Sequence, residues 1–358
     1  MTRKANHTNP IYKEVYNELV KRIENNALDK LSAVSIGQEY NVNRNTADKI
    51  IRLLDTNGWV RRIPRKGTFP VKNNLKKINS INIIYSFDAF NRQFLNTYPY
   101  VNAKLIESIF RDELARRCNV NLLFIDPLYS YSQILEKFTS LGSRAGFVVL
   151  SPDESGNIIN LLRQEQMPYM TFSYEHADFN AVTHDTGQSA YRAVEHLIKI
   201  SGRKNILFLN VGRSISSNPW TAARFRGYVK ALEDNNLPLR DELVFNTSGT
   251  VDSGIALMEH LKRHSEIDAV FSATFENGLA LVNNIKLVGI KIPEDLAVIV
   301  FYDLPEFSVS SPAITAVKAP LEKMGHTIIK ELLDMINFGF RDDIRHIFND
   351  ELILRDSC

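Results

Sequence analysis

Only two cysteines occur in the chain, Cys118 and Cys358, so no disulfide framework holds it, and a reducing, cytoplasmic setting is expected. Cys118 falls in a segment that reads as helical. No uninterrupted apolar run approaches the ~18 residues that a membrane-spanning helix needs. The opening MTRKANHTNPIYKE has no apolar signal core. A membrane partner is therefore not expected. His and Cys are nowhere spaced as zinc ligands, so neither metal nor cofactor is expected. There is no Gly-rich phosphate loop, and Ser35 and Ser173 lie in no nucleophile elbow. No catalytic residue is assigned. What remains is an ordinary globular composition, 44% hydrophobic and 23% charged, over 358 residues, which suits two or three domains.

The charge is unevenly spread. Residues 1–77 carry 16 Lys and Arg against 7 Asp and Glu, whereas the remaining residues carry 27 against 34. A basic segment joined to an acidic remainder is the pattern of a tethered nucleic-acid-binding module. Within that segment, Ile11, Val15, Leu19, Val20 and Ile23 recur at helical spacing. Ser35–Tyr40 reads as a short helix and Asn41-Val42-Asn43 as a tight turn. Asn43 or Asn45 can cap the next helix, whose apolar face holds Ala47, Ile50, Ile51, Leu53 and Leu54. Asn57-Gly58 ends it. Trp59–Ile63, a turn over Pro64–Gly67 and the return Thr68-Phe69 form a two-stranded wing with cations at its tip. Helix, short helix, turn, helix and wing is the order of an α+β winged helix-turn-helix.

PIYKEVYNELVKRIENNAL followed by NRNTADKIIRLLDTNGWVRRIPRKGTF resembles the DNA-binding domain of the GntR family of bacterial transcription regulators. The resemblance covers about residues 9–71. It implies that Arg44, Asn45, Thr46 and Lys49 face bases and phosphates from the recognition helix. Arg61, Arg65, Lys66 and Gly67 would serve the wing, where Gly permits close approach to the DNA backbone. Where the family usually carries Pro-Ser-x-Arg, this chain reads Leu31-Ser32-Ala33-Val34-Ser35 and has no Arg.

After the polar linker the pattern changes. From Ile81 onward, short apolar runs such as INIIYSF, AGFVVLS and KNILFLN alternate with amphipathic stretches such as AKLIESIFRDELARRC and TAARFRGYVKALEDNN. Such regular alternation implies parallel sheets covered on both faces, and there are enough units for two α/β lobes. Ligands in these folds sit at the carboxyl ends of the strands. His184-Asp185 invites a catalytic-dyad reading, but Asp185 is better read as the cap of the helix that follows.

AVEHLIKISGRKNILFL, ARFRGYVKALEDNNL, IKIPEDLAVIVFYD and SPAITAVKAPLEKMG, in that order, resemble the effector domain of the LacI family, a relative of periplasmic sugar-binding proteins. The fold expected is a winged helix-turn-helix (residues 1–72), a linker (73–80) and a two-lobed effector domain (81–358). Lobe 1 is expected over about 81–182 and 311–341, and lobe 2 over about 183–310 and 342–358. Arg224 stands where the family clamps its ligand, and Asp303 where a carboxylate accepts from sugar hydroxyls. Ser86, Phe87 and Asp88 end the first strand, where the first lobe contacts ligand. Ser173 replaces a common Asp, Thr274 a common Asn, Phe275 the Asp after it, and Phe301 a usual Gly. Trp220, Tyr98 or Tyr100 could stack on a sugar face.

The function expected is a homodimeric, ligand-responsive transcription regulator, a repressor of carbohydrate-utilisation genes. It would bind a near-palindromic operator and respond to a free monosaccharide held between the lobes. Two other classes compete. An α/β enzyme acting on sugars or nucleosides would need a catalytic pair that the sequence does not offer, and a transport-type binding protein would need a signal peptide.

Overall fold

The computed structural model describes residues 11–64, 66–71, 79–88, 93–94, 99–126, 128–150, 156–172, 178–212, 215, 218–247 and 252–358. Three helices, α1 (Ile11–Glu24), α2 (Ala33–Tyr40) and α3 (Arg44–Thr56), precede an antiparallel wing. The wing pairs β1 (Val60–Ile63) with β2 (Gly67–Pro70), with Val60 opposite Pro70 and Ile63 opposite Gly67. The expected order holds. α2 starts two residues before Ser35, because Ser32 caps it: Ser35 N donates to Ser32 Oγ at 2.9 Å, and Ser32 N to Ser35 Oγ at 3.1 Å. Asn43 caps α3 by accepting from Thr46 N at 2.8 Å. Tyr16, Leu19, Ile36, Ala47, Ile50, Leu54 and Val60 bury against one another as the core of this unit.

Two α/β lobes follow. In the first the chain runs β3 (Asn79–Asp88), β4 (Gln93–Phe94), α4 (Pro99–Arg111), β5 (Cys118–Ile125), α5 (Tyr131–Ser140), β6 (Ala145–Val149), α6 (Gly156–Gln164), β7 (Tyr169–Phe172) and β8 (Ala181–His184). In the second it runs α7 (Thr186–Lys199), β9 (Ile206–Val211), α8 (Pro219–Asp234), β10 (Val244–Thr247), α9 (Asp252–Arg263), β11 (Ala269–Ser272), α10 (Phe275–Asn284), β12 (Ala297–Phe301), α11 (Pro305–Val309) and β13 (Thr315–Lys318). It then returns through α12 (Leu321–Phe338) and β14 (Arg345–Phe348) to lobe 1, and ends with β15 (Glu351–Ile353) in lobe 2.

The lobe 1 sheet is ordered β5-β3-β6-β7-β8-β14 and is parallel, with β4 folded back antiparallel on the end of β3. The lobe 2 sheet is ordered β10-β9-β11-β12-β13-β15, with only β15 antiparallel. Strands covered on both faces must be apolar throughout, and all of Ala297–Phe301 is buried. Two boundaries differ from the sequence expectation. Residues 315–318, expected in lobe 1, pair within the lobe 2 sheet as β13, and residues 345–348, expected in lobe 2, pair within lobe 1 as β14. Cys118 opens strand β5 opposite Asn79 rather than lying in a helix.

The winged unit packs on the carboxyl end of α12. The Tyr12 and Tyr16 rings meet Phe338 edge-on at 5.8 and 5.0 Å. Lys13 Nζ lies 2.6 Å from Asp334 Oδ2. Asn57 Nδ2 donates to Tyr16 OH at 2.8 Å and to the Asn337 carbonyl at 3.0 Å.

Candidate functional site

On α3 the residues at positions 44, 48 and 52 share one stripe and those at 45 and 49 the next. The apolar stripe is buried by α1 and α2, so this one faces outward. The Arg44 side chain is 85% exposed and lies 4.0 Å from Asp48, too loosely paired to be neutralised. Asn45, Lys49 and Arg52 are exposed, and Thr46 is half-buried beside the cap. Lys49 Nζ sits 3.7 Å from the centre of the Tyr12 ring, which orients it along the helix flank. In the wing, Arg61, Arg62 and Lys66 are exposed, whereas Arg65 lies outside the described residues. Gly67 has φ +119°, and a Cβ there would meet Lys30 Cε at 2.7 Å. The positive φ thus favours glycine here, whereas the end of the Lys30 side chain is flexible and can move aside. Arg52 and Arg62 belong to the same outward surface and were not singled out from the sequence. The absent Arg of the α2 segment leaves Val34 and Ser35 exposed on that helix.

The second candidate site lies at the carboxyl ends of the lobe 2 strands. Arg224, from α8, is fully buried. Its Nη1 donates to the Ala273 carbonyl at 2.7 Å and its Nη2 to Tyr302 OH at 2.9 Å, while the guanidinium lies 3.9 Å from the centre of the Phe301 ring. Tyr302 follows β12 with φ +72°, a strained conformation for a tyrosine, and its hydroxyl also lies 3.4 Å from His184 Nε2. His184 Nδ1 is 2.6 Å from Asp350 Oδ1, with both side chains wholly buried. The result is a chain, Arg224–Tyr302–His184–Asp350, that ties lobe 2 to the strand ends where the backbone crosses between lobes. Asp185 caps α7 by accepting from Gln188 N at 2.7 Å, so His184 does not pair with its neighbour in sequence.

Around this chain stand rings and polar atoms. Trp220 is half-buried and packs against Phe172 at 5.4 Å and His184 at 5.2 Å. Asn218 caps α8 by accepting from Trp220 N and Thr221 N, which fixes how Trp220 and Arg224 enter the site. Thr274 is buried at the start of α10, where Phe275 meets Tyr100 of lobe 1 at 5.3 Å. In the same turn, Glu276 Oε2 and Asn277 Nδ2 are buried with no hydrogen-bond partner among the described residues. Burial raises the Glu276 carboxyl above its ordinary value, against its own backbone N–H, the Thr274 hydroxyl and the Arg224 charge, which lower it. Buried polar atoms left open at strand ends are what a polar ligand would satisfy.

Asp303 has a different environment. Arg355 Nη2 lies 2.8 and 2.9 Å from its two oxygens, so the carboxylate already holds a cation. It lines a cavity of about 540 Å³ between α4 and α11, with Tyr100, Lys104, Tyr302 and Lys318. Trp220, Arg224 and Thr274 do not line that cavity. Ser86, Phe87 and Asp88 end β3, where Phe87 and Asp88 pair with β4, but their side chains, with Tyr98 and Ser173, lie outside the described residues. The residues that sequence reasoning missed are Tyr302, Glu276, Asn277 and Asp350. Only the strand-end position of Tyr302 carried a signal.

Comparison with known proteins finds two family matches along the chain. Residues 11–69 match the profile of bacterial regulatory proteins of the gntR family, and residues 194–358 that of a periplasmic binding protein-like domain. The HTH-type transcriptional regulator MalR of Clostridium butyricum is 32% identical over 184 residues, which cover 50% of this chain and 52% of MalR. The chain thus spans about half the length of that relative. The HTH-type transcriptional regulator AscG of Escherichia coli is 28% identical over 334 residues, 91% of this chain and 93% of AscG. A solved structure of the transcriptional regulator CelR in complex with cellobiose superposes with a TM-score of 0.62 at 19% identity, over 98% of this chain and all of that one.

Proposed function

The chain joins a gntR-family winged helix-turn-helix to a periplasmic-binding-protein-like domain, and from that premise we propose that it is a DNA-binding transcription regulator switched by a small ligand. The observation that carries this reading is the pairing of two surfaces on one chain. One is an outward stripe of Arg44, Asn45, Lys49 and Arg52 beside a cationic wing. The other is a turn at the strand ends of lobe 2 with open polar atoms on Glu276 and Asn277, next to Arg224 and Trp220.

In this reading α3 enters the major groove while Arg61 and Lys66 of the wing hold the phosphates. Two copies bind a near-palindromic operator, because the symmetry of a homodimer is mirrored in its half-sites. The effector is a neutral free sugar. Trp220 covers the apolar face of its ring, and the polar atoms of α10 meet its hydroxyls. The CelR complex with cellobiose, on the same fold, supports a sugar as the ligand class. Arg224 acts from behind the ligand wall, since its donors hold Ala273 and Tyr302 in place. The sign of the response is repression relieved by the sugar. A ligand shifts operator affinity only through its preference for one of two lobe arrangements.

The test is a thermal-shift panel of free sugars on the full chain, repeated with Arg224→Ala. A ligand at 100 times its dissociation constant raises stability by about 2.7 kcal/mol. One sugar is expected to stabilise the wild type and not the variant, while both bind DNA alike. A variant that responds as the wild type does would remove Arg224 from the site.

A further inference from the structure

A second cavity, of about 470 Å³, lies where the winged unit meets lobe 1. Tyr16, Lys21 and Trp59 form one wall, and Arg144, Lys330 and Asn337 the other. Its cations are Lys13, Lys21, Arg117, Arg144 and Lys330, and its acids are Glu24 and Asp334. Both acids are engaged: Asp334 holds Lys13 at 2.6 Å, and Glu24 lies 3.7 Å from Arg117. His326, also on the rim, pairs with Asp112 at 2.8 Å. Lys21, Arg144 and Lys330 therefore line the cavity without a carboxylate partner among the described residues.

Arg144 is the telling member. It precedes β6 and is half-buried under the winged unit. Nε donates to Asn79 Oδ1 at 2.8 Å, Nη1 to Asn57 Oδ1 at 3.2 Å and Nη2 to Asn337 Oδ1 at 2.9 Å. All three acceptors are neutral amides. Burial lowers its pKa, and the ionisable groups that act on it most are Tyr16 and the Cys118 thiol, which burial pushes up to about 11, so both are uncharged at neutral pH. A guanidinium partly withdrawn from water and held only by neutral amides gains from an anion that supplies the counter-charge. The fork of an arginine fits a phosphate, and two lysines reach the same space.

We propose that this crevice is a binding site for a small phosphorylated metabolite, separate from the effector site of lobe 2. The ligand takes Arg144, Lys330 and Lys21 as its cationic partners. Asn57 closes α3 and Asn337 lies near the end of α12, so a ligand on Arg144 touches elements of both domains.

The experiment is calorimetric titration of the full chain with inorganic phosphate and with glucose 6-phosphate, alongside tryptophan emission, since Trp59 lines the cavity. Saturable binding is expected, with a change in emission, and Arg144→Gln and Lys330→Gln are each expected to weaken it about tenfold through loss of a charge-assisted contact. Lys330→Gln keeps the test decisive if Arg144→Gln fails to fold. Binding of inorganic phosphate makes the phosphate group sufficient. Binding of glucose 6-phosphate alone adds the sugar to what the crevice recognises. No binding of either at millimolar concentration overturns the proposal, as does binding that both variants retain in full, which would mark an adventitious ion only. Neither result depends on the response to free sugars, so failure here leaves the lobe 2 reading standing.

Discussion

Helices α7 and α8 cross at Gly227, and the substitution Gly227→Ala measures how tightly that crossing is set. A Cβ built at this position would lie 2.1 Å from the Gly187 carbonyl oxygen and 3.0 Å from Tyr191 N, all backbone atoms that no rotamer change can move. Ordinary contact is about 3.4 Å or more, so the helices must part by roughly 1 Å. Overpacking of this kind costs about 1–3 kcal/mol, and a rigid backbone neighbour puts the variant at the upper end. The displacement also reaches the site, because α8 carries Trp220 and Arg224 at one end. Urea denaturation of the full chain is the assay, with Gly142→Ala as the control. Gly142 has φ +90° and nothing within 4 Å of a built Cβ, so it registers backbone strain alone, about 1 kcal/mol. Gly227→Ala is expected to lose more stability than the control and to weaken the stabilisation by sugar. Equal or smaller loss at Gly227 would refute the packing argument.

Two further outcomes follow from the charges. Arg44→Ala should flatten the slope of log affinity against log salt by about 0.9 for each DNA-bound winged unit, whereas exposed Lys262→Ala on α9 should leave it unchanged; equal slopes for wild type and Arg44→Ala would take Arg44 off the DNA. Glu276→Gln should stabilise the protein at neutral pH. Below the ordinary carboxylate value of 4.5 both folded and unfolded wild type keep the proton, so the variant gains nothing there; above it the unfolded chain ionises first and wild-type stability falls until the raised folded pKa is passed. Melts of both proteins from about pH 4 to about pH 8 should show the gap opening as pH rises, and a gap that closes instead would contradict the burial of the carboxylate.

Much of this architecture was legible because the signals were local. An Asn cap at 43 or 45, which the structure places at Asn43, the apolar stripe of α3, Asn57-Gly58 as a stop and the Gly-tipped wing each act within one turn of chain. The two-layer α/β pattern was legible because strands buried on both faces must be apolar runs. The lobe boundaries were harder. β13 and β14 are four-residue strands whose sheet is decided by partners far away in sequence. The same holds for the site. His184 was read against Asp185, its neighbour, which caps α7 instead; its partner Asp350 lies 166 residues away. Asp303 was identified by position, yet nothing local announced that Arg355 would hold it. Arg144 carried no local signal, because Asn57, Asn79 and Asn337 come around it only in the fold.

The central claim is that one chain couples a sugar site to a DNA site, and its most direct test is reciprocity. A duplex is selected from random sequence by the protein itself, and its affinity is measured with and without the stabilising sugar; the affinity for the sugar is then measured with and without the duplex. Linkage requires the two ratios to be equal. The account predicts ratios that match and differ from one, about 5-fold to 150-fold for typical coupling. A sugar that binds while leaving operator affinity unchanged, or a chain that selects no duplex, would contradict it.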